Sequence, residues 1–408
     1  MPNSLCRSCG APLVTTFVDL GLTPLANAFI RPDQSHVTEP RYPLHAFVCD
    51  QCFLVQVEEF AGPEEIFTHY VYFSSYSNTW LDHCARYVEK IVPRLGLTSG
   101  SRIVEIASND GALLRFFQQS GLDVLGIEPA SNVAQVAIDR GVPTKVAFFN
   151  LSLALQLREM FAADLIVANN VLAHVPALND FIAGLKALLA PRGTITIEFP
   201  HLARLISERQ FDSIYHEHFS YFSLKSVEPA LSRHGLALYD VEELPVHGGS
   251  LRLYVTHSDR SLPVSSKVEQ LRLAEREAGL AQIETYRQYA SVPPAVKRDV
   301  ISFLNEARRD GKRVVGYGAA AKGNTLLNYC GVGSDHLDYV VDRNPHKQGL
   351  LLPGTHYPVY GIERIFETKP DYIFVLAWNL RDEILQALAE VRRWHARFVI
   401  PIPRLEVL

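Results

Sequence analysis

The sequence predicts a three-part α/β protein, in which a small cysteine-bearing module precedes two units of alternating strands and helices. Three observations predict this architecture: two Cys-x-x-Cys pairs in a loop-rich N-terminal stretch, and two separate series of short apolar runs and helical segments, after positions 100 and 312. Such alternation favours mostly parallel sheets covered by helices. A chain of 408 residues is long enough for two or three domains.

The predicted domain boundaries lie near positions 67 and 260. Residues 1–67 are rich in proline and carry only short β-like runs, so this module needs a staple to stay folded. Residues 68–260 contain the strand candidates "RIVEIAS", "DVLGIEP", "ADLIVANN" and "GTITIEFP", and then the paired strands of "LALYDVEELPVHGGSLRLYVTH". Residues 261–408 begin with charged helices and continue with "RVVGYGA", "LDYVVDRNP", "YPVYG", "DYIFVLAW" and "ARFVIPIP".

Composition excludes several classes of protein. The net charge of −5 gives no basic field for nucleic acid or an anionic membrane. The N-terminus lacks the apolar run of a signal peptide, and no stretch approaches the roughly 18 apolar residues of a membrane span. Six cysteines are too few for a disulfide scaffold. We therefore expect a cytoplasmic protein.

The N-terminal cysteines have the spacing of a metal site. Cys6 and Cys9 form one Cys-x-x-Cys pair, and Cys49 and Cys52 form the other. Two such pairs can deliver four thiolates to a tetrahedral Zn²⁺, and a site closed by four protein ligands is structural rather than catalytic. The separation of the pairs exceeds the roughly 15 to 20 residues of small zinc ribbons, which an insertion between them explains. Four unrelated buried thiols and a redox pair are the alternatives.

Polar residues follow three consecutive strands of the middle unit. Glu105 ends the first strand before the turn "ASNDG", and Glu128 ends the second in "GIEPA". An acidic strand end, a glycine turn and a helix start are how an α/β sheet grips a nucleotide-like ligand. The turn lacks the three glycines of NAD sites, so it suits S-adenosylmethionine better, although an ordinary turn with incidental polar residues stays open. The predicted cofactor-binding residues are Glu105, Ala107, Ser108, Asn109, Asp110, Glu128, Pro129, Asn169 and Asn170.

The segment "IYHEHFSYFS" crowds titratable and aromatic side chains into ten positions. Histidine supplies a general base near neutral pH, and a neighbouring glutamate or tyrosine can orient it. Tyr215, Glu217 and His218 therefore form a candidate catalytic cluster. A structural role for the histidines and weak metal binding by His216 and His218 are the alternatives.

The C-terminal unit carries candidate substrate-binding residues. In "VVGYGAAAKGNTLLN" a strand runs into a glycine turn and a helix, which lets backbone N–H groups approach an anion. The departure from G-x-G-x-x-G argues against a working NAD site but not against a nucleoside diphosphate, and a degenerate scaffold site is the alternative. The segment "HGGSLRLY" offers further groups, or is an edge hairpin without function. The candidates are His247, Ser250, Arg252, Gly318, Lys322, Asn324, Asp342 and Arg343.

With these segments assembled, the chain resembles the sugar 3-C-methyltransferases of deoxysugar biosynthesis over nearly its full length. The resemblance rests on the four cysteines together with "VEIASNDGALL", "GIEPA", "ANNVLAHVP", "YHEHFSYFS", "HGGSLRLY" and "GYGAAAKGNTLLN", in the order found in that family. It implies a zinc-binding N-terminal module, a class I S-adenosylmethionine-dependent methyltransferase α/β domain and a C-terminal Rossmann-like α/β domain. Ala107 is a departure, because a glycine commonly occupies that position of the cofactor turn.

The resemblance also implies the reaction and its residues. The substrate would be a nucleotide-linked 4-keto-6-deoxyhexose, with thymidine diphosphate favoured over guanosine diphosphate, methylated at C3 through an enolate and without a catalytic metal. His218 would be the base, and Glu217 either its orienter or a ligand of a sugar hydroxyl. Tyr215 would hold or polarise the keto sugar, with His174 and Tyr72 in support and His216 a bystander. A chain of this kind could act as a monomer.

Two other functions stay open from the sequence alone. A methyltransferase of the same architecture could act on another carbon or on a sugar hydroxyl, and a hydroxyl acceptor would not need the neighbouring ketone. A non-catalytic nucleotide-binding scaffold would dispense with residues 215–218 and transfer no methyl group.

Overall fold

The computed structural model describes residues 5–67 and 73–408, in which three β-sheets follow one another along the chain. The predicted pocket residue Tyr72 lies outside the described residues. The first sheet has four strands, the second seven and the third six. The second and third sheets carry helices between their strands, as the alternating pattern predicts.

The N-terminal unit is an antiparallel sheet next to the four cysteines. Its strands pair in the order β1-β2-β3-β9, and the fourth strand comes from far along the chain. Residues 24–41, between the first two strands, form the insertion that separates the two cysteine pairs. The elements of this unit are β1 (Thr15–Thr23), β2 (Tyr42–Val48), β3 (Val55–Val57) and α1 (Pro63–Phe67).

The middle unit is a mixed seven-stranded sheet with helices on both faces. The strand order is β10-β11-β8-β7-β4-β5-β6. Strand β11 is antiparallel to both of its neighbours, β10 and β8, whereas all neighbouring strands from β8 to β6 are parallel. The strands are β4 (Arg102–Ile106), β5 (Asp123–Glu128), β6 (Thr144–Val146), β7 (Ala163–Asn169), β8 (Leu189–Pro200), β9 (Ser220–Tyr221, in the first sheet), β10 (Leu236–Leu244) and β11 (Ser250–His257). The helices are α2 (Asn78–Leu95), α3 (Ala112–Gln119), α4 (Ser131–Asp139), α5 (Leu151–Arg158), α6 (Leu178–Leu188), α7 (Leu202–Ser207) and α8 (Leu224–Arg233).

The first half of this sheet is doubly wound outward from β4. Because β4 pairs with both β5 and β7 in parallel, the strand order reverses at β4. Ligands of open α/β sheets bind at such a reversal, beyond the carboxyl ends of the strands. The residues that follow β4, β5 and β7 therefore meet at one rim.

The C-terminal unit is a second α/β sheet with the order β14-β13-β12-β15-β16-β17, in which all neighbours except β16 and β17 are parallel. Its strands are β12 (Val314–Tyr317), β13 (Val340–Val341), β14 (Val359–Tyr360), β15 (Tyr372–Val375), β16 (Arg397–Ile400) and β17 (Glu406–Val407). Its helices are α9 (Ser266–Glu277), α10 (Ile283–Tyr289), α11 (Val292–Arg309), α12 (Ala321–Cys330), α13 (Glu363–Thr368) and α14 (Arg381–Ala387).

The three units are interlocked rather than strung in line. Strand β9 completes the N-terminal sheet, with Val55 opposite Tyr221. One continuous hydrophobic cluster contains the N-terminal strands and the core of the C-terminal sheet. Helix α9, just beyond the predicted boundary at 260, packs on the middle unit, where Glu275 accepts hydrogen bonds from the backbone N–H groups of Leu224 and Lys225. The boundaries near 67 and 260 stay predictions.

Within the described parts of the chain, no helix has both the length and the apolar character that crossing a bilayer requires.

Candidate active site

The four N-terminal cysteines converge on one point. The Sγ atoms of Cys6 and Cys52 lie 3.5 Å apart, as do those of Cys9 and Cys49, and all four lie within 4.8 Å of one another. A tetrahedral zinc ion with Zn–S bonds of about 2.3 Å needs Sγ atoms about 3.8 Å apart. The four thiols therefore fit a structural zinc ion, and the alternative of unrelated thiols is wrong.

Both Cys-x-x-Cys turns fold in the same way, which strengthens the fit to zinc. In the first, Gly10 N–H donates to the carbonyl of Cys6 at 2.8 Å, and in the second Phe53 N–H donates to that of Cys49 at 2.9 Å. Gly10 and Phe53 both have left-handed backbone, with φ of 76° and 59°. Gln56 also donates from Nε2 to Cys6 Sγ at 3.2 Å, a contact that orients a metal-bound thiolate.

The segment 213–221 is held in place by the other two units of the chain. Strand β9 pairs with β3, and the carbonyl of Ile214 accepts from Thr325 Oγ1 of α12 at 3.2 Å. Asn27, in the insertion of the N-terminal unit, donates to the carboxylate of Glu217 at 2.7 and 2.8 Å. The candidate catalytic residues therefore sit where all three units meet.

His218 is oriented as a base by its hydrogen bonds. Its Nδ1 lies 3.1 Å from the carbonyl of Ser213, and its Nε2 lies 2.8 Å from the hydroxyl of Tyr215. Because a carbonyl can only accept, the proton of the neutral ring resides on Nδ1. The Nε2 lone pair then accepts from the Tyr215 hydroxyl, so this nitrogen is available to take up a proton.

Enclosure by the surrounding protein keeps the histidines of this site neutral. Burial, together with the nearby His174, holds the pKa of His218 well below its usual range. Burial also lowers the pKa of His174 to about 4. His174 Nδ1 donates to the carbonyl of Glu217 at 2.7 Å, and its ring lies 4.7 Å from that of His218. A neutral imidazole at physiological pH is the form that a general base requires.

The carboxylate of Glu217 does not orient His218. Both of its oxygens face Asn27, whereas the orienting acceptor of His218 is the carbonyl of Ser213. The orienting role expected for Glu217 is therefore wrong, and the alternative of a sugar-hydroxyl ligand stays open. Burial raises the pKa of Glu217 to about 7, although Asn27 and Lys347 favour the charged form.

His216 is turned away from this cluster. Its Nε2 lies 3.1 Å from the carbonyl of Pro43, and its ring meets the edge of Tyr42 at 6.0 Å between centroids. It anchors the segment to β2, and the bystander role of His216 stays a prediction.

The cofactor turn after β4 has the backbone geometry of a ligand-binding loop. Ala107 and Asn109 both have left-handed backbone, with φ of 58° and 51°. This conformation favours glycine, which explains why a glycine is common at the position that Ala107 occupies. Asn109 N–H donates to Glu128 at 2.9 Å, and Ala130 N–H donates to the other oxygen of that carboxylate at 2.8 Å. The turn and the end of β5 are thus tied together, with Pro129 between the tied residues.

Three carboxyl groups lie close together at this rim. Burial, with the charges of Glu128 and Asp110, raises the pKa of Glu105 well above its usual range. Asp110 is fully buried and accepts from Arg140 at 3.0 Å and from Ser75 Oγ. A ligand with positive charge relieves the repulsion among such groups. S-adenosylmethionine carries both a sulfonium and an ammonium group, so it fits the charge of this rim.

Several buried polar atoms at the rim have no hydrogen-bond partner among the described residues, and a bound polar ligand would satisfy them. These atoms are Glu105 Oε2, Ser108 Oγ, Asp110 Oδ1, Asn169 Oδ1 and Asn170 Oδ1. All belong to predicted cofactor-binding residues.

His247 links the cofactor rim to the rest of the site. Asn170 Nδ2 lies 3.2 Å from His247 Nε2, and the Trp80 ring lies 5.8 Å from the His247 ring. Burial lowers the pKa of His247 to about 4, and its φ of 56° belongs to the left-handed region. Ser250 donates from Oγ to the carbonyl of Val246 at 3.1 Å and so closes the same loop.

The predicted residues around the C-terminal glycine turn have different environments. Gly318 has a φ of 96°, and a Cβ there would lie 2.8 Å from Ala377 Cβ, so only glycine fits. Asp342 accepts from Ala319 N–H at 2.7 Å, which fixes the turn. Asn324 donates to the carbonyl of Ala26 at 2.7 Å, and its own Oδ1 is buried without a partner in the described chain.

Two predicted substrate-binding arginines are not brought to the cluster. Arg252 is 3% exposed and donates to Glu198 at 2.8 Å and to Glu242 at 3.4 Å. Its charge is therefore neutralised inside the middle unit and cannot reach a second phosphate, contrary to expectation. Arg343 is exposed and pairs with Glu383 at 2.5 Å.

The sequence analysis missed three residues that shape the site. Asn27 holds Glu217, and Trp378 donates from Nε1 to Asp212 at 2.7 Å. Asp212 precedes the cluster directly in "FDSIYHEH", and a carboxyl group beside two histidines was a signal that could have been used. Asn27 and Trp378 are remote in sequence, and no local pattern marks them.

Known protein families match three successive parts of the chain, and one known protein matches its full length. Residues 6–67 match the family described as "Putative zinc binding domain", residues 80–241 match "Methyltransferase domain", and residues 245–403 match "C-methyltransferase C-terminal domain". The C-methyltransferase NovU of Streptomyces niveus is 36% identical over 408 residues, which is 100% of this chain and 97% of that protein. The predicted order of a zinc-binding domain, a methyltransferase domain and a C-terminal domain is confirmed.

More distant relatives match only part of the chain. A ubiquinone biosynthesis O-methyltransferase of Rhodopseudomonas palustris (strain BisB18) is 25% identical over 117 residues, 28% of this chain and 46% of that protein. The crystal structure of magnesium protoporphyrin IX methyltransferase from Synechocystis PCC 6803 with bound SAH has a TM-score of 0.35 and 14% identity, and the match covers 44% of this chain and 83% of that one.

Substituting Cys49→Ser should release the zinc ion, because only three thiolates would remain. We expect zinc content to fall to a small fraction of one per chain and the midpoint of thermal unfolding to fall with it. The affinity for S-adenosylmethionine should stay within about threefold, since its rim belongs to a separate sheet. Elemental analysis, a thermal scan and calorimetric titration measure the three quantities.

Cys84→Ala, at a buried thiol outside the cluster, is the control and should retain zinc. Full zinc content in Cys49→Ser would contradict the assignment.

Substituting Glu217→Gln should stabilise the protein at alkaline pH. The folded-state pKa of about 7 lies above the ordinary 4.5, so the folded protein holds this proton more tightly and loses stability as pH rises through 7. From that difference the penalty is about 3 kcal/mol at pH 8.5 and about 1 kcal/mol at pH 5.5. The melting temperature of the variant should therefore exceed that of the wild type more at pH 8.5 than at pH 5.5.

The matched control for this substitution is Glu159→Gln, at an exposed glutamate. It should leave the melting temperature unchanged at both pH values. An equal gain for Glu217→Gln at pH 8.5 and 5.5 would show that burial of the charge is not the cause.

Proposed function

The chain belongs to the family of C-methyltransferases that includes NovU and uses S-adenosylmethionine as methyl donor, and from this premise we propose that it methylates C3 of a nucleotide-linked 4-keto-6-deoxyhexose. The observation that carries the proposal is the neutral His218, with Nδ1 on the carbonyl of Ser213 and Nε2 available as a base. The product would be an intermediate in the biosynthesis of a branched deoxysugar.

Methylation at carbon explains why the site contains a base. S-adenosylmethionine supplies an electrophilic methyl group, so the acceptor carbon must become a nucleophile. A ring carbon of a sugar does so when an adjacent ketone allows it to lose a proton, because the negative charge then moves to the ketone oxygen. A neutral histidine can take this proton at physiological pH once the hydroxyl that covers its unprotonated nitrogen turns away. A 4-keto sugar is therefore the acceptor that this cluster suits.

His218 is the proposed base, and its neighbours prepare it. The carbonyl of Ser213 fixes the tautomer, and the Tyr215 hydroxyl covers Nε2 until the acceptor enters. The hydroxyl then turns to the ketone oxygen as a donor, which exposes Nε2 to the carbon-bound proton. His174 packs on the ring of His218 and keeps it from rotating, since its own Nδ1 is tied to the carbonyl of Glu217. Glu217 itself binds a hydroxyl group of the sugar.

The C-terminal unit is the proposed binding site of the nucleoside diphosphate. Its glycine turn, Gly318 and the N-terminus of α12 form a backbone cradle of the kind that accepts phosphate oxygens. Asp342 holds the turn through Ala319 and leaves the remaining N–H groups for the ligand. We favour thymidine diphosphate over guanosine diphosphate as the carrier, as the resemblance to deoxysugar enzymes suggests.

The cofactor occupies the rim of the middle sheet in this proposal. The Glu128 carboxylate accepts the ribose hydroxyls with the lone pairs that Asn109 and Ala130 leave unused. Glu105, Asp110 and Asn169 line the methionine portion, where their orphaned oxygens can accept from its ammonium group. His247, next to Asn170 of this rim, would border the bound donor, which would supply an electrophilic methyl group.

Proton exchange at carbon tests the proposal before any methyl is transferred. Thymidine-, guanosine- and cytidine-diphosphate-linked 4-keto-6-deoxyhexoses would be incubated with the enzyme in D₂O without donor, and NMR would locate the deuterium. We expect incorporation at C3, and one new carbon-bound methyl there once S-adenosylmethionine is added. His218→Asn should lower both rates by about 10²- to 10⁴-fold, whereas His395→Asn, at an exposed histidine, should retain them.

The outcomes separate the remaining alternatives. Deuterium and methyl at C5, the other carbon beside the ketone, would move the reaction to that carbon. A methyl on oxygen, or transfer that persists in His218→Asn, would indicate a hydroxyl acceptor. Binding of the nucleotide sugars without exchange or transfer would indicate a non-catalytic scaffold.

A further inference from the structure

Lys322 lies between the middle and C-terminal units. It belongs to the first turn of α12, its side chain is half-buried, and its Nζ lies 4.3 Å from the centroid of the Trp378 ring. Among the described residues it donates no hydrogen bond and forms no ion pair within 4 Å. A lysine held in this way against an aromatic face keeps its ammonium available for a ligand.

Trp378 connects Lys322 to both loops of the active site. Its Nε1 donates to Asp212 Oδ2 at 2.7 Å. The other end of its ring contacts the loop of His247, because a Cβ at Gly248 would lie only 2.9 Å from Trp378 Cη2. The ammonium above this ring is therefore beside the His247 loop on one side and Asp212 on the other.

Asp212 is connected to the proposed base, His218, through the residue that follows it. The next residue is Ser213, whose carbonyl accepts from His218 Nδ1 at 3.1 Å. Asp212 is fully buried, and its Oδ1 has no hydrogen-bond partner in the described chain. Its negative charge offsets the positive charge of Lys322, which is how a protein retains an ammonium in an enclosed site.

The positive charge of Lys322 affects two histidines of the site. It lowers the pKa of His218 and of His247, and Asp212 raises the pKa of Lys322 itself. Burial outweighs Asp212 and lowers the pKa of Lys322 to about 8. Asp212, His218 and His247 thus all interact electrostatically with this ammonium. A cation close to a base stabilises the negative charge that forms nearby when the base removes a proton.

We propose that the Lys322 ammonium stabilises the oxygen anion that forms on the acceptor when its carbon loses a proton to His218. This inference rests on the proposed function and adds a catalytic residue to it. The proton moves from carbon to His218 Nε2, the electron pair of the C–H bond forms a C=C bond, and the C=O bond becomes a C–O⁻ single bond. Lys322 transfers nothing and supplies a positive charge at that oxygen, next to the neutral donor Tyr215.

The sequence suggested a different role, in which Lys322 binds a phosphate. Burial raises the pKa of Asp212 only to about 6, so at pH 7 its carboxylate is mostly charged beside the lysine. A diphosphate at this place would be repelled by the negative charge of Asp212. The single negative charge that develops on one oxygen would be balanced by the single ammonium group. The two roles also predict different losses on mutation.

The test compares Lys322→Met and Lys322→Arg with Lys267→Met, at an exposed lysine of α9. Deuterium incorporation beside the ketone, without donor, reports proton abstraction, and calorimetry with thymidine diphosphate and guanosine diphosphate alone reports phosphate binding. Lys322→Met should lose about 10²- to 10³-fold in exchange rate and keep nucleotide affinity within about threefold. Zinc content and affinity for S-adenosylmethionine, unchanged from the wild type, show that the variant is folded.

The dependence on pH provides a second readout. In the wild type the exchange rate should fall above pH 8 as Lys322 loses its proton, given its pKa of about 8. Arginine stays charged, so this alkaline limb should be absent from the slower Lys322→Arg variant. Lys267→Met should show the wild-type profile.

Each other outcome has a defined meaning. Normal exchange in Lys322→Met together with a tenfold loss of affinity for the nucleoside diphosphate would overturn the inference in favour of phosphate binding, and the proposed function would stand. No exchange in the wild type with any of the keto sugars would instead overturn the proposed function and this inference with it.

Discussion

The site depends on one constraint, which is that the segment 213–221 is held from both sides by units that are remote in sequence. Strand β9 is the fourth strand of the N-terminal sheet, and Thr325 of α12 binds the carbonyl of Ile214 from the other side. The segment is therefore stretched between the zinc-binding and C-terminal domains, across the carboxyl edge of the middle sheet. The zinc cluster is connected to this segment through β3, since Cys52 precedes β3 by only a few residues and β3 pairs with β9.

Enclosure of the segment also determines its chemistry. The same burial that lowers the pKa of His218, His174 and His247 keeps all three neutral at physiological pH. At the cofactor rim burial also favours the neutral form, because together with the neighbouring carboxylates it raises the pKa of Glu105. The molecule therefore combines a rim rich in carboxyl groups with a cluster of neutral histidines. The half-buried Lys322 and the fully buried Asp212 influence each other electrostatically without forming an ion pair in the described chain.

The sequence predicts the local features well and the long-range contacts poorly. The cysteine pairs and the acidic ends of β4 and β5 follow from short patterns that set their geometry directly, so the zinc ligands and the cofactor rim could be read from them. Strand β9 has only two residues and pairs with a partner more than 160 positions earlier, which no local pattern encodes. The contact of Asn27 with Glu217 fails for the same reason. Arg252 looked like a phosphate ligand because the sequence does not reveal that Glu198 and Glu242 surround it.

The zinc-binding domain is expected to hold the segment 213–221, and hydrogen exchange of backbone amides tests this expectation. Mass spectrometry would follow peptides covering residues 213–222 and β4 in the zinc-loaded protein and after removal of zinc by a chelator. The account predicts that exchange in 213–222 accelerates at least about tenfold, as β3 releases β9, while β4 in the middle sheet stays protected. Equal protection of 213–222 with and without zinc would contradict it, because the segment would then be held by the middle and C-terminal units alone.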